Sequence, residues 1–123
     1  MIKDFLRSLK SIFSVSLFFL KQNTKRLNLG TFRVAGLQYG EAEYIALLQG
    51  EPAALKREAK NPHDPKAIAV YIRGIKAGYL PQHENKTLSL LMDQGVILEA
   101  IVYAYDYEKP PWERVVVKVW KKR

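Results

Sequence analysis

The stretch AIAVYIRGIKAGYLP, residues 67–81, decides the fold class of this 123-residue chain. From Ala67 to Ile72 every residue is apolar or aromatic and three of the six are β-branched, a composition typical of a strand. Gly74 follows as a turn residue, and a second run from Lys76 to Leu80 ends at Pro81. Two consecutive strands separated by a turn are therefore predicted near the middle of the chain.

The sequence on both sides of this stretch also favours strands. Alternating or continuous apolar runs predict strands over residues 31–37, 54–58, 96–107 and 115–120 in addition to 67–72 and 76–80. Pro81 suits the first turn of a helix whose buried face carries Leu88, Leu91 and Met92, and Gly95 ends it. The predicted fold is mainly β with accessory helices: a small antiparallel barrel or sandwich of about six strands, with one helix after the fourth strand.

The first 26 residues differ from the rest of the chain. Their apolar residues recur at helical spacing among lysines and arginines, which predicts a basic amphipathic helix. The longest apolar run there, from Ile12 to Leu20, is too short to span a bilayer, which needs about 20 residues. Such a helix can dock on the protein itself, on a partner or second copy, or on an anionic membrane surface. The expected organisation is a helix and linker over 1–30, a β domain over 31–120 and a basic end over 121–123.

Net charge points to an anionic partner. The chain has 20 Lys and Arg against 12 Asp and Glu, a formal charge of +8. Residues 1–30 and 109–123 each carry six basic residues and one acidic residue, whereas residues 31–108 carry eight basic and ten acidic ones. Within that acidic centre a basic cluster is accompanied only by Glu58 and Asp64, and it consists of Lys56, Arg57, Lys60, Lys66, Arg73 and Lys76. A polyanion is the expected ligand of this cluster.

The inventory of reactive residues argues against an enzyme. The chain has no cysteine, which excludes disulfides, cysteine zinc sites and thiol nucleophiles. Its seven glycines form neither a nucleotide-hydrolysing phosphate loop nor a dinucleotide-binding loop. His63 and His83 are the only histidines, fewer than the three protein ligands that catalytic zinc typically has. We therefore expect no catalytic residue, metal or cofactor, and a cytoplasmic location.

Three motifs in order resemble the HIRAN domain over about residues 31–120. A predicted strand ends in Arg57-Glu58, the turn and strand Asn61-Pro62-His63-Asp64-Pro65-Lys66-Ala67-Ile68-Ala69-Val70 follows, and Gly78-Tyr79-Leu80-Pro81 leads into the predicted helix. The segment Val34-Ala35-Gly36-Leu37 precedes them. The resemblance implies an OB-like β-barrel with accessory helices. It also implies a single-stranded DNA-binding module with a pocket for the 3′-hydroxyl end, found alone or fused to helicases and ubiquitin ligases.

The resemblance also assigns roles to individual residues. Tyr39 would stack on the terminal base, Asp64 would accept the 3′-hydroxyl, and Tyr79 would line the same groove. His63 stands where an aromatic residue is usual, while Gln38 and Gln82 stand where DNA-binding relatives carry cations, so weaker end recognition is expected. A further aromatic residue is expected from Tyr103, Tyr105 or Tyr107. The predicted nucleic-acid-binding set is Gln38, Tyr39, Lys56, Arg57, Lys60, Asn61, His63, Asp64, Lys66, Tyr79 and Gln82.

The residues themselves favour the same function. Tyrosines interleaved with lysines and arginines are typical of proteins that stack bases and track phosphates. We therefore predict a non-enzymatic module that binds single-stranded DNA or another nucleic acid, with a helicase or repair protein as a partner and a role in repair or replication-fork processing. The alternative is an adaptor that uses its N-terminal helix to bind a protein or, less favoured, a membrane through residues 1–26.

Overall fold

The computed structural model describes residues 26–122, so the helix predicted over the first 26 residues lies almost wholly outside the described part. Three single-turn 3-10 helices lie at Leu37–Tyr39, Glu41–Tyr44 and Gln82–Glu84. The strands and α-helices, in chain order, are β1 (Leu27–Arg33), β2 (Pro52–Glu58), β3 (Ala67–Ile72), β4 (Ile75–Tyr79), α1 (Lys86–Asp93), β5 (Leu98–Tyr105), α2 (Pro111–Arg114) and β6 (Val115–Lys121).

The strands form one antiparallel sheet in the order β1-β6-β5-β2-β3-β4. Two residues beyond β1, Ala35 exchanges two backbone hydrogen bonds with Tyr79 of β4, at 2.8 and 2.9 Å. These bonds join the two ends of the sheet and close it on itself. The predicted six-stranded antiparallel fold with a helix after the fourth strand is confirmed.

Gly78 allows this closure. A Cβ atom on Gly78 would lie 2.1 Å from the carbonyl oxygen of Ala35 and 3.0 Å from the side chain of Val34. No side chain larger than hydrogen fits at that distance, so the glycine permits the two backbones to approach. The closure therefore depends on a residue that also begins the Gly-Tyr-Leu-Pro motif.

The first strand begins earlier and ends earlier than the sequence predicted. It starts at Leu27 rather than Thr31, because Gly30 sits in a bulge where its N–H donates to Asn28 Oδ1 at 2.9 Å. The strand ends at Arg33, since Gly36 has a φ of +85° and turns the chain into the 3-10 helix Leu37–Tyr39. This turn carries Tyr39 towards β4.

Strand β6 shows how the sheet divides its two faces. Val115, Val117 and Val119 are fully buried in the core, while Val116, Lys118 and Trp120 alternate with them and point outward. Burying three valine side chains stabilises the fold by several kcal/mol, at roughly 1.5–3 kcal/mol each. Among residues 26–122, none of the helices has the length and apolarity needed to cross a bilayer.

Candidate nucleic-acid interface

The turn between β2 and β3 is held by its own side chains. Asn61 Oδ1 accepts hydrogen bonds from the backbone N–H groups of His63 at 2.8 Å and Asp64 at 3.1 Å. Asp64 Oδ1 in turn accepts from the N–H of Lys66 at 2.9 Å. Asn and Asp commonly stabilise turns in this way, and the result is a fixed loop that presents the His63 and Asp64 side chains.

The Asp64 carboxylate is held from a second direction. Its Oδ2 accepts a hydrogen bond from Asn85 Nδ2 at 2.8 Å, and Asn85 is only 1% exposed. Each carboxylate oxygen thus accepts one bond from the protein, whereas an ionised carboxylate can accept about four. The half-buried Asp64 carboxylate therefore keeps capacity to accept a hydrogen bond from a hydroxyl group.

A polar network fixes the Tyr79 side chain. The Tyr79 hydroxyl donates to Glu58 Oε1 at 2.8 Å, and Lys76 Nζ donates both to the Tyr79 hydroxyl and, at 2.9 Å, to Glu58 Oε2. Lys76 Nζ also lies 4.4 Å from the centre of the Tyr79 ring. The hydrogen bond from Lys76 is the main cause that lowers the pKa of Glu58 to about 2. Hydrogen bonds with Tyr79 and then Glu58 raise the pKa of Lys76.

These elements surround one open cavity of about 380 Å³, named here the Asp64 cavity. Its size falls in the range of small-ligand sites. Tyr39 stands at its edge with 86% of its surface exposed. Six of the eleven predicted site residues line the Asp64 cavity: Tyr39, Asn61, His63, Asp64, Tyr79 and Gln82. The remaining lining residues are Ala35, Gly36, Ala67 and Leu80, so no lysine or arginine contributes.

A second cavity of about 680 Å³, the Trp112 cavity, adjoins the first and shares Ala35 and Gly36 with it. Gln38 lines this second cavity instead of the Asp64 cavity. Its Oε1 atom is buried and has no hydrogen-bond partner among residues 26–122. Buried acceptors are nearly always paired, so this unpaired oxygen is an exception within the described residues.

Half of the basic cluster predicted from the sequence, namely Arg57, Arg73 and Lys76, is occupied in ion pairs. Arg57 lies outside the Asp64 cavity: its Nε and Nη2 bind the two oxygens of Asp93 at 2.8 and 3.0 Å. Its Nη1 donates to the Ala67 carbonyl at 3.0 Å, and the hydrogen bond with Asp93 raises the pKa of Arg57. Glu51 binds Arg73 in the same way. Arg57 therefore braces β2 against α1, and a role in binding phosphate does not fit these contacts.

Three predicted cations stay available. Lys56, Lys60 and Lys66 are exposed, and none makes an ion pair with another described residue. None of the three lines the Asp64 cavity. Lys60 and Lys66 flank, along the chain, the turn that presents Asp64. Their side chains do not form part of the cavity wall.

Sequence reasoning missed Trp112 and Asn85. Trp112 is 57% exposed and lines the Trp112 cavity, whereas none of Tyr103, Tyr105 and Tyr107 lines either cavity. The sequence feature that could have indicated Trp112 is the preceding Pro110-Pro111. This pair lies in the connection between β5 and β6, where α2 begins. Asn85 immediately precedes α1, where an asparagine usually caps its own helix, but here its side chain binds Asp64 instead.

Potential metal ligands do not cluster in the described range: among residues 26–122 no group of three or more His, Asp or Glu side chains is placed to hold an ion. The Asp64 carboxylate instead has amide donors as its neighbours.

Comparison with known proteins identifies the family. The model of the HIRAN domain matches residues 28–122. The chain belongs to the HIRAN domain family. A search of curated protein sequences found no match.

Solved structures share this HIRAN fold. A crystal structure of a protein from Lactobacillus plantarum is 29% identical with a TM-score of 0.71, and the match covers 80% of this chain and 97% of that one. The crystal structure of the HIRAN domain of human HLTF is 22% identical with a TM-score of 0.63, covering 80% of each chain. An NMR structure of the HLTF HIRAN domain is 25% identical with a TM-score of 0.51, again with 80% of each chain covered.

Proposed function

We propose that this HIRAN domain is a non-enzymatic module that binds single-stranded DNA and holds the 3′-terminal nucleotide in the Asp64 cavity. The observation that carries the proposal is the meeting of Tyr39, Asp64 and Tyr79 at one open cavity, although they are far apart in sequence. An exposed ring, a partly satisfied carboxylate and a fixed second ring are the groups needed to bind a base and a hydroxyl.

Each group has a physical role in this proposal. The Tyr39 ring, 86% exposed, stacks on the terminal base, an interaction that contributes about 1–3 kcal/mol per base without regard to sequence. Asp64 accepts a hydrogen bond from the 3′-hydroxyl through the lone pairs that Lys66 and Asn85 leave free. Asn61, His63 and Gln82 complete the polar rim.

Phosphates are bound outside the Asp64 cavity in this account. The cavity contains one carboxylate and neither lysine nor arginine, so it suits a neutral terminus better than a phosphorylated one. Lys60 and Lys66 beside the turn, and Lys56 on β2, are the exposed cations that meet the backbone near the end. Glutamines at 38 and 82 contribute hydrogen bonds without charge.

Family membership supports DNA as the ligand. The HIRAN domain of HLTF has been solved in a DNA-bound conformation, which is a property of that protein. We extend DNA binding to this chain as part of the proposal, together with a role beside a helicase or repair protein in DNA repair or replication-fork processing.

Fluorescence anisotropy tests the proposal with two oligonucleotides that differ in one atom. Both carry a 5′ fluorophore, and one ends in a 3′-hydroxyl while the other ends in a dideoxynucleotide. The wild-type domain is expected to prefer the hydroxyl by about tenfold, since hydrogen bonds to charged groups contribute about 1.5–3 kcal/mol. Equal affinity for the two ends contradicts the proposal.

Two variants make the test specific. Asp64→Ala is expected to bind both oligonucleotides equally. Asp106→Ala is the matched control, because Asp106 also accepts a backbone N–H two residues on, from Glu108 at 3.0 Å, but lies away from the cavity. The control is expected to keep the wild-type preference.

A further inference from the structure

The outward side of β1, β6 and β5 carries aromatic rings and cations in a pattern the end-binding site does not use. Strand register places Thr31 beside Lys118 and Lys118 beside Ile101, so side chains of the three strands share this side. We define the outer face as these outward residues: Thr31, Arg33, Glu99, Ile101, Tyr103, Val116, Lys118 and Trp120.

Cations and aromatic rings alternate across the outer face. Lys118 Nζ lies 5.6 Å from the centre of the Tyr103 ring and 5.3 Å from that of Trp120. The Arg26 guanidinium carbon lies 5.7 Å from the centre of the Trp120 ring. Tyr103 is 47% exposed. Rings that stack bases next to cations that meet phosphates are the usual components of a single-strand binding surface.

Positive charge exceeds negative charge on this side of the sheet. Arg26 and Lys122 share one carboxylate, Glu99, at 3.2 and 3.9 Å. Arg33 reaches Glu113 only at 3.8 Å with 63% of its side chain exposed. Lys118 makes no ion pair with a described residue. The surplus favours a polyanion over a neutral or basic partner.

The outer face is continuous with the Asp64 cavity. Thr31, Arg33 and Val116 belong to the outer face and also line the Trp112 cavity. That cavity shares Ala35 and Gly36 with the Asp64 cavity. A DNA strand that leaves the Asp64 cavity over Ala35 and Gly36 thus enters the Trp112 cavity, whose lining residues Thr31 and Val116 belong to the outer face.

We propose that the outer face binds the nucleotides that precede the 3′ end of the same DNA strand, by way of the Trp112 cavity. This inference rests on the proposed function and extends the binding surface beyond the terminal nucleotide. The exposed Tyr103 ring and the half-buried Trp120 ring favour a nucleic acid over an acidic peptide, because a peptide would use the cations and leave the rings unstacked.

Length dependence tests the outer face separately from the end. Anisotropy is measured with 5′-labelled oligothymidylates of three, six and twelve nucleotides, all with free 3′ ends. The wild-type affinity is expected to rise with length beyond three nucleotides. Lys118→Glu is expected to weaken the twelve-nucleotide ligand by about tenfold, because a carboxylate at this position repels the phosphates, and the three-nucleotide ligand by less than about twofold.

Matched variants keep the result interpretable. Lys86→Glu makes the same charge change at an exposed lysine on α1 that lines none of the cavities, and it is expected to behave as wild type. Lys118→Gln removes the charge while keeping a polar side chain, and it is expected to lower the salt slope by about 0.7, the value of one phosphate contact on a single strand. Thermal unfolding of each variant confirms that it folds.

Two results would overturn the inference. One is a twelve-nucleotide affinity for Lys118→Glu equal to that of Lys86→Glu. The other is displacement of that oligonucleotide by an equimolar twelve-residue polyglutamate peptide, since the surface would then select charge alone. Failure of the proposed function is a different readout, equal affinity for hydroxyl and dideoxy ends, so the two failures are distinguishable.

Discussion

The Asp64 cavity and the outer face bring together different chemistry on one small barrel. The cavity has one carboxylate, amide groups and two tyrosines, with no lysine or arginine in its wall. The outer face has Lys118 between two aromatic rings, and Arg26 beside one of them. The first region is suited to a neutral group with a proton to donate, and the second to bases joined by phosphates.

This difference separates two tasks that are often combined in one pocket. Attraction to the phosphate backbone is electrostatic and falls with salt. Recognition of a hydroxyl by a carboxylate is short-ranged and depends on placement. Because Arg57, Arg73 and Lys76 are paired with acidic residues, these three central cations contribute to the fold more than to the ligand.

The largest expected effect comes from breaking the closure of the sheet between Ala35 and Tyr79, two residues that line the Asp64 cavity. In Gly78→Ala the new Cβ would lie 2.1 Å from the Ala35 oxygen, so the two backbone bonds that close the sheet must separate. We expect a loss of about 3 kcal/mol or more in the free energy of unfolding, measured with urea. Gly74→Ala is the control, because Gly74 has a φ of +76° but open space around it, and should lose only about 1 kcal/mol. Equal losses would contradict the role of the close approach.

Removing the exposed ring tests the cavity without altering the fold. Tyr39→Ala is expected to weaken binding to every oligonucleotide by about 1–3 kcal/mol, because the terminal base loses its stacking partner. Tyr39→Phe keeps the ring and is expected to bind as wild type in the same anisotropy titration. If the alanine variant binds normally, Tyr39 is not a stacking platform, however exposed it is.

Asn85 allows end recognition to be tested separately from binding by the outer face, because its side chain contacts Asp64 and does not belong to the outer face. Asn85→Ala removes the donor at 2.8 Å from Asp64 Oδ2, so the carboxylate is less well oriented. The preference for hydroxyl over dideoxy ends is expected to fall by about 1 kcal/mol, while the dependence on oligonucleotide length stays unchanged. A loss of length dependence with an intact end preference would reverse this assignment.

The smallest expected effect concerns the ion pair between Lys76 and Glu58, which contacts the Tyr79 hydroxyl. Lys76 lowers the pKa of Glu58 to about 2, so the ionised carboxylate contributes stability above its ordinary pKa of 4.5, and this is lost as the pH falls towards 2. Wild type should therefore lose about 1 kcal/mol more between pH 5 and pH 2 than Glu58→Gln, allowing for the partial exposure of Lys76. Chemical denaturation across this range measures the difference, with Glu108→Gln as an exposed control. Identical pH profiles for wild type and Glu58→Gln would show that the pair does not stabilise the fold.

Sequence patterns predicted β3 to the residue, because its apolar, β-branched run is buried on both sides. They misplaced the start of β1, since Asn28 and Gly30 form a bulge within a strand and resemble a break in it. Six of the residues predicted from the family resemblance line one cavity, because the motifs that carry the resemblance include the turn at Asn61 and the closure at Gly78. Partners that depend on three dimensions, such as Asp93 for Arg57 and Asn85 for Asp64, could not be found from spacing along the chain.

One measurement tests the separation of end recognition from charge most directly. The affinities of wild-type domain for the 3′-hydroxyl and dideoxy oligonucleotides are measured from low to high salt. Both affinities are expected to fall together, with a constant ratio, because the hydroxyl is uncharged and no cation lines the Asp64 cavity. A ratio that shrinks towards one as salt rises would contradict the account, since the end preference would then depend on phosphate contacts.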